Sequence, residues 1–335
     1  MSHFPEDELE RPLEDTDGAA PKAVEPAAPE LLAQDAPVEA VQPAPVAVAN
    51  AEPPMFQAIA QPELPVPPRI PHLGHFLLLL ALVGLGFIGA IIVLLLAIRF
   101  HLGGVTTLDG IRTNIFYQLG SEGLGYVFSL AGCMLVFPLL WHKGFFAGVQ
   151  WNGATAARLF TRLVTAALIC FALAIVNSLV LPQPKHAPIE DIMREPGAAW
   201  LMFAFGVTFA PFFEEMFFRG FLLPALCTAY DWCAEKIYHK PRMPLGENGH
   251  PQWSFPAMAI AAVVTSIPFA GMHAAQIGNS IGPLLLLMGV SIVLCGVRLW
   301  TRSLASSTLV HSSYNFMLFL IMLITTHGFR HLDKL

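Results

Sequence analysis

Residues 211–220 read PFFEEMFFRG. They place Glu214, Glu215 and Arg219 in a run otherwise made of Phe, Leu, Met and Ala, and no other charged residue occurs from Ala198 to Ala229. Such a run reads as a helix at membrane depth rather than a soluble one. Each charge near the bilayer centre costs roughly 2.5–3.5 kcal/mol, about 8–10 kcal/mol for three. The large apolar residues around them return only about 0.3–0.6 kcal/mol each, so this helix needs neighbours. Glu215 and Arg219 are four apart on one helical face with the acid N-terminal, the better order for an ion pair. Glu214 is turned about 100° away and is left for a partner on another helix. A single Glu–Arg pair is most often a device that locks helix packing. The spare carboxylate beside it points toward chemistry, because unpaired carboxylates at membrane depth are expensive and seldom idle.

The rest of the chain agrees with a membrane setting. Of 335 residues, 55% are hydrophobic and only 13% charged, which fits a polytopic membrane protein and excludes a globular enzyme with a large aqueous surface. The formal charge of -6 is unevenly placed. Residues 1–70 hold thirteen acids against Arg11, Lys22 and Arg69, and the remainder holds 15 basic and 11 acidic residues. That N-terminal segment is rich in Pro, Ala and Glu and carries half of the 28 prolines. It cannot bury enough apolar area to offset its ordering entropy, so a disordered acidic tail is expected. It has no basic stretch followed by an apolar core, hence no signal-peptide pattern. The five cysteines (133, 170, 227, 233 and 295) form no C-x-x-C and are read as packing residues, not a disulfide framework or thiolate metal site.

Seven spans are expected, or eight if the second or the long fourth is really two. They cover Phe76–Ile98, about Gly123–Trp141 (with a start as early as Asn114), Leu163–Leu181, a charged helix from Ala198, Phe255–His273, Pro283–Trp300 and Leu304–Thr325. Pro211 and Pro224 are expected to kink the fourth, and Asp231–Ser254 reads as a polar loop. Glu122 reads as interfacial. Pro182–Pro196 is a polar loop leading into the charged helix and a candidate cover for a site there. With the N-terminus inside, nine Lys and Arg fall on the inner side and six on the outer, which favours a cytoplasmic tail. The expected fold is therefore an all-α, polytopic transmembrane bundle.

Two further apolar segments carry polar groups at helical spacing: Phe269 with His273, and His311 with Asn315. One intramembrane His is as often a packing residue as a functional one. Three separate helices carrying Glu214, His273, and His311 with Asn315 lower their cost by converging on one wet cavity. No G-x-S-x-G surrounds Ser312 or Ser313, and no H-E-x-x-H occurs. A Glu and a His sharing a water can make it attack a carbonyl. A second His and an Asn can stabilise the oxyanion. Two His and one Glu also satisfy a catalytic zinc.

The motifs E-E-x-x-x-R (Glu214, Glu215, Arg219), F-x-x-x-H (Phe269, His273) and H-x-x-x-N (His311, Asn315), in that order on separate apolar helices, resemble the CPBP family. That family holds the type II (glutamyl) CAAX prenyl endopeptidases and the bacteriocin-processing and immunity proteins. The resemblance covers about residues 198–320. It implies that Glu214 and His273 activate water, that His311 and Asn315 stabilise the oxyanion, and that Glu215, Arg219 and Phe269 support them. It divides the chain into a tail (1–70), N-terminal transmembrane helices (71–197) and a protease-like catalytic core (198–325). No cofactor is expected in the glutamyl reading; in the zinc reading Glu214, His273 and His311 would be the ligands. The expected partners are a membrane-associated protein or peptide substrate and the bilayer, with no nucleic acid. The alternative is a non-catalytic immunity or scaffold protein, or a carrier, although no internal repeat of the transporter kind is evident. The ending LDKL is not a prenylation box.

Overall fold

The long apolar runs are helices, and several of them start where a side chain caps the free backbone N–H groups. The computed structural model describes residues 69–104, 107–112, 114–184, 187–195, 197–246 and 250–331. Apart from Arg69 and Ile70, the acidic tail lies outside the described residues, as do Lys185, Pro196 and the final LDKL. Helix α1 spans Leu73–Arg99, α2 Ile115–Trp141 and α3 Phe160–Val180. The His72 ring accepts from the Gly74 N–H (3.1 Å) at the start of α1. Asn114 Oδ1 accepts from the Phe116 N–H (2.9 Å) and so starts α2 at the early end of the expected range.

The fourth segment departs most from a plain helix. It comprises α4 (Ala198–Val207), α5 (Phe209–Glu215), a π-helical stretch Met216–Leu222 and α6 (Leu223–Ile237). The break expected at Pro211 falls at Thr208, whose φ of -117° and ψ of -71° leave the helical range. Pro211 then occupies the first turn of α5, where its ring no longer opposes the Val207 carbonyl. Pro224 does not break the chain. The turn before it widens instead, which moves the Gly220 carbonyl away from the proline ring. Asp231 does not open a loop: it is helical and buried, and accepts from the Ser254 N–H (3.0 Å) and hydroxyl (2.6 Å). The loop begins after Ile237.

Helices α7 (Phe255–Met272), α8 (Ile281–Thr301) and α9 (Leu304–Thr325) complete the bundle. Among the described residues no strand forms, and Leu245 and Pro251 make only an isolated bridge. Seven segments are long and apolar enough to cross a membrane, counting Ala198–Ile237 as one of 40 residues. A straight helix of that length would measure about 60 Å, twice the hydrocarbon thickness, so the break at Thr208 has a geometric purpose.

Packing ties the elements around the charged helix. α1 and α2 meet where a Cβ on Gly86 would lie 2.7 Å from the Ser129 backbone N, so only glycine allows the approach. Phe137 and Trp141 of α2 pack with tilted rings against Phe221, with centroids 4.8 and 5.8 Å away. Leu163, Ala167 and Cys170 of α3 pack with Val290 and Leu294 of α8 and Val310 of α9. Outward residues such as Leu77, Leu85, Leu135, Leu139 and Leu179 are exposed, as suits helices that face lipid. The chain is an integral, multi-pass membrane protein. Its described cysteines are free, with Cys233 exposed and the other four buried.

Candidate active site

Four helical segments deliver the polar groups to one place. Glu214 and Glu215 end α5, Arg219 lies in the π stretch, His273 caps the C-terminus of α7, and His311 and Asn315 lie one turn apart on α9. Glu215 and Arg219 are fully buried and paired at 2.9 Å. The second arm of the guanidinium donates to the Ser291 hydroxyl (2.7 Å) and carbonyl (3.1 Å) on α8, while the Phe269 ring lies 4.4 Å from its centre. The expected ion pair is present, and α8 anchors it.

His311 links this locked pair to Glu214. Its Nδ1 lies 3.0 Å from Glu215 Oε1, and its Nε2 lies 3.7 Å from Glu214 Oε2. His273 approaches from the other side: Nδ1 lies 2.9 Å from the Phe269 carbonyl and Nε2 lies 3.8 Å from Glu214 Oε1. A carbonyl and an ion-paired carboxylate can only accept, so both Nδ1 atoms carry hydrogen. In the neutral rings both Nε2 atoms are then acceptors aimed at the two oxygens of a third acceptor. Gaps of 3.7 and 3.8 Å exceed a direct hydrogen bond and accommodate a water that touches both groups. Phe269 packs against both imidazoles, with ring centroids 5.3 Å from His273 and 5.7 Å from His311.

Asn315 is turned elsewhere. Its Nδ2 donates to the Gly206 carbonyl (2.8 Å), joining α9 to α4, and one amide hydrogen remains for any further role. Residues that the sequence did not single out also belong here. Ser291, a small polar residue in the apolar α8, holds Arg219. Glu122 is not a plain interfacial residue: it is half-buried in α2 and accepts from the Tyr126 hydroxyl (2.7 Å). The Tyr126 ring stacks on Phe213 at 4.6 Å, next to Glu214. The four-residue spacing of Glu122 and Tyr126 was the available signal.

Glu214 opens onto an apolar cavity of about 250 Å³, whose walls include Leu79, Val83, Leu130, Phe217 and Met272. The loop before α4 reaches the same neighbourhood, since the Ile189 N–H donates to the Gln276 carbonyl (3.3 Å) just beyond His273.

Residues 196–317 match the family model described as Rce1-like, type II CAAX prenyl endopeptidase. Over this stretch the chain is similar to the CPBP/CAAX protease family, in line with the three motifs. The Rce1-like stretch contains every polar residue of the cluster except the α2 pair Glu122 and Tyr126, and the match supports protease activity. No curated protein and no solved structure matches the chain. Glu214, His273 and His311 are all metal-ligand types, yet among the described residues no group of three or more His, Cys, Asp or Glu is disposed to hold a metal ion.

Proposed function

We propose that the protein is an intramembrane endopeptidase in which Glu214, with His273, activates water against a peptide carbonyl. The observation that carries this reading is the convergence of the two His Nε2 atoms on the Glu214 carboxylate at 3.7 and 3.8 Å. Three acceptors facing one another need a shared proton donor, and water is the simplest. Glu214 takes a proton as the water oxygen bonds to the scissile carbon. It returns that proton to the leaving amine when the tetrahedral intermediate breaks its C–N bond. The oxyanion would be met by the second amide hydrogen of Asn315, beside the His311 ring held between Glu215 and Glu214. Glu215, neutralised by Arg219, fixes the His311 ring by its Nδ1–H.

The apolar cavity beside Glu214 supports a membrane-associated substrate that presents an apolar group, either a lipid modification or a large side chain, next to the scissile bond. We place the start of α1 and the basic loops on the cytoplasmic side, on the nine-against-six distribution of Lys and Arg.

The test compares membrane peptides from cells carrying the wild-type chain or Glu214→Gln at equal levels. Fragments that depend on the intact carboxylate are expected; identical peptide pools would leave an immunity, scaffold or carrier role. A zinc reading rests on residue type alone, since Glu214, His273 and His311 are all groups that zinc takes. Elemental analysis of active protein with a chelator titration separates the two: stoichiometric zinc lost together with activity would replace the glutamyl mechanism.

A further inference from the structure

The bundle has a second polar centre at the end where α1 begins. The seven crossings bring the α2–α3 connection, the α6–α7 loop and the α8–α9 turn to that end. There a cavity of about 790 Å³ is lined by Lys143, Arg158, Arg302, His250, Gln150 and Trp151, among others, and no Asp or Glu is among its described lining residues. Its walls are tied together. The Leu304 N–H donates to the Gln150 carbonyl (2.9 Å) and the Ser303 hydroxyl to the Asn152 carbonyl (2.9 Å). Buried Arg298 brings a fourth cation close, its Nη2 lying 3.4 Å from the Val149 carbonyl.

One donor beside the cavity lacks an acceptor: Arg298 Nε is buried without a hydrogen-bond partner. Gln150 (φ 58°) and Arg302 (φ 50°) are also held in the left-handed region that non-glycine residues avoid. Burial, and then the charges of Lys143, Arg298 and Arg302, hold the His250 imidazole below its ordinary pKa. The setting specifies the ligand. Trp151 and Trp300 line the same cavity, as aromatic residues do at headgroup level. By sequence, and counting from residue 69 onward, this end carries nine basic and three acidic residues, against six and five at the other end. Arg forks and a Lys ammonium suit the oxygens of a phosphate.

We propose that this cavity binds a phosphate-bearing anion, supplied by an anionic phospholipid headgroup or by free phosphate. The site is independent of the Glu214 cluster and of the reaction proposed for it. The experiment uses the full chain in nanodiscs of three kinds: phosphatidylcholine, phosphatidylglycerol, and phosphatidylcholine with added inorganic phosphate. Thermal unfolding and native mass spectrometry of retained lipid are the readouts. Phosphatidylglycerol is expected to stabilise the protein and remain bound, less so at high salt. Lys143→Gln or Arg158→Gln should each weaken binding roughly fivefold and the pair more than tenfold. Arg158→Lys should keep most of the binding, and Arg99→Gln at the opposite end should change nothing. Equal stabilisation by inorganic phosphate in the neutral discs would assign the site to a soluble anion. Indifference to both phosphate sources, salt-independent binding, or a double variant that binds as wild type does would overturn the proposal.

Discussion

Glu214 and Glu215 are neighbours in sequence and opposites in setting. Glu215 is wholly buried and accepts from Arg219 at 2.9 Å and from His311 at 3.0 Å. Glu214 borders a cavity and faces two imidazoles across 3.7 and 3.8 Å. The same chemical group is therefore fixed at one position and left reactive at the next. What separates them is a rotation of about 100° around the helix, which turns Glu215 toward α8 and α9 and Glu214 toward open space. A buried carboxylate with an ion-pair partner holds architecture. One with only lone pairs opposite it is arranged for a proton that is absent from the protein itself.

The sharpest way to break this contrast is to neutralise each carboxylate in turn. Glu214→Gln is expected to lower cleavage by about 10²–10⁴-fold, the usual span of general-base catalysis, with the unfolding midpoint nearly unchanged. Purified-protein kinetics beside a thermal scan measures both; a Gln variant that cleaves at the wild-type rate would end the proposal. The locked side should fail in the opposite manner. Arg219→Met strands the Glu215 charge and should cost about 3–5 kcal/mol of stability, whereas Glu215→Gln with Arg219→Met should recover much of it because no charge is left unpaired. If the double variant is as unstable as the single, the pair does more than neutralise itself.

Asn315 sharpens the comparison, because two roles predict different readouts. As a tie between α9 and α4 through the Gly206 carbonyl, its loss in Asn315→Ala should cost about 1 kcal/mol of stability and little activity. As an oxyanion donor through its second amide hydrogen, its loss should lower kcat by about 10²–10³-fold with KM little changed. The proposed mechanism requires the second outcome.

Much of this contrast was legible beforehand, and the reasons differ by residue. The Glu215–Arg219 pair follows from a four-residue spacing, and the isolation of Glu214 follows from helical phase. The convergence of His273 and His311 followed from the cost of polar groups in lipid. Other features had no local signature. The π stretch over Met216–Leu222 answers to Pro224 and to packing against other helices, so a regular α period was the natural expectation. Asp231 looked like the start of a loop because its partner, Ser254, is 23 residues away. Ser291 was one small polar residue in an apolar helix, and nothing near it in sequence announces an arginine 72 residues earlier. What the sequence withheld was pairing between distant segments, which depends on how helices cross.

The smallest expected effect concerns the third carboxylate near the site, Glu122, which is neither locked by a cation nor opposed by imidazoles. It accepts one hydrogen bond from Tyr126 (2.7 Å), and the Tyr126 ring lies parallel to Phe213 at 4.6 Å. Two parts of one side chain can thus be separated. Tyr126→Phe removes the hydroxyl and keeps the stack, so it should cost about 1 kcal/mol of stability and change kcat by less than about threefold. Tyr126→Leu removes the surface on which Phe213 rests, and Phe213 precedes Glu214 directly. Displacing the carboxylate from the two imidazoles should cost considerably more in kcat than in KM. Equal losses in the two variants would make the hydroxyl, and with it Glu122, a working part of the site; a loss only in the Leu variant would leave α2 as the platform that aims Glu214.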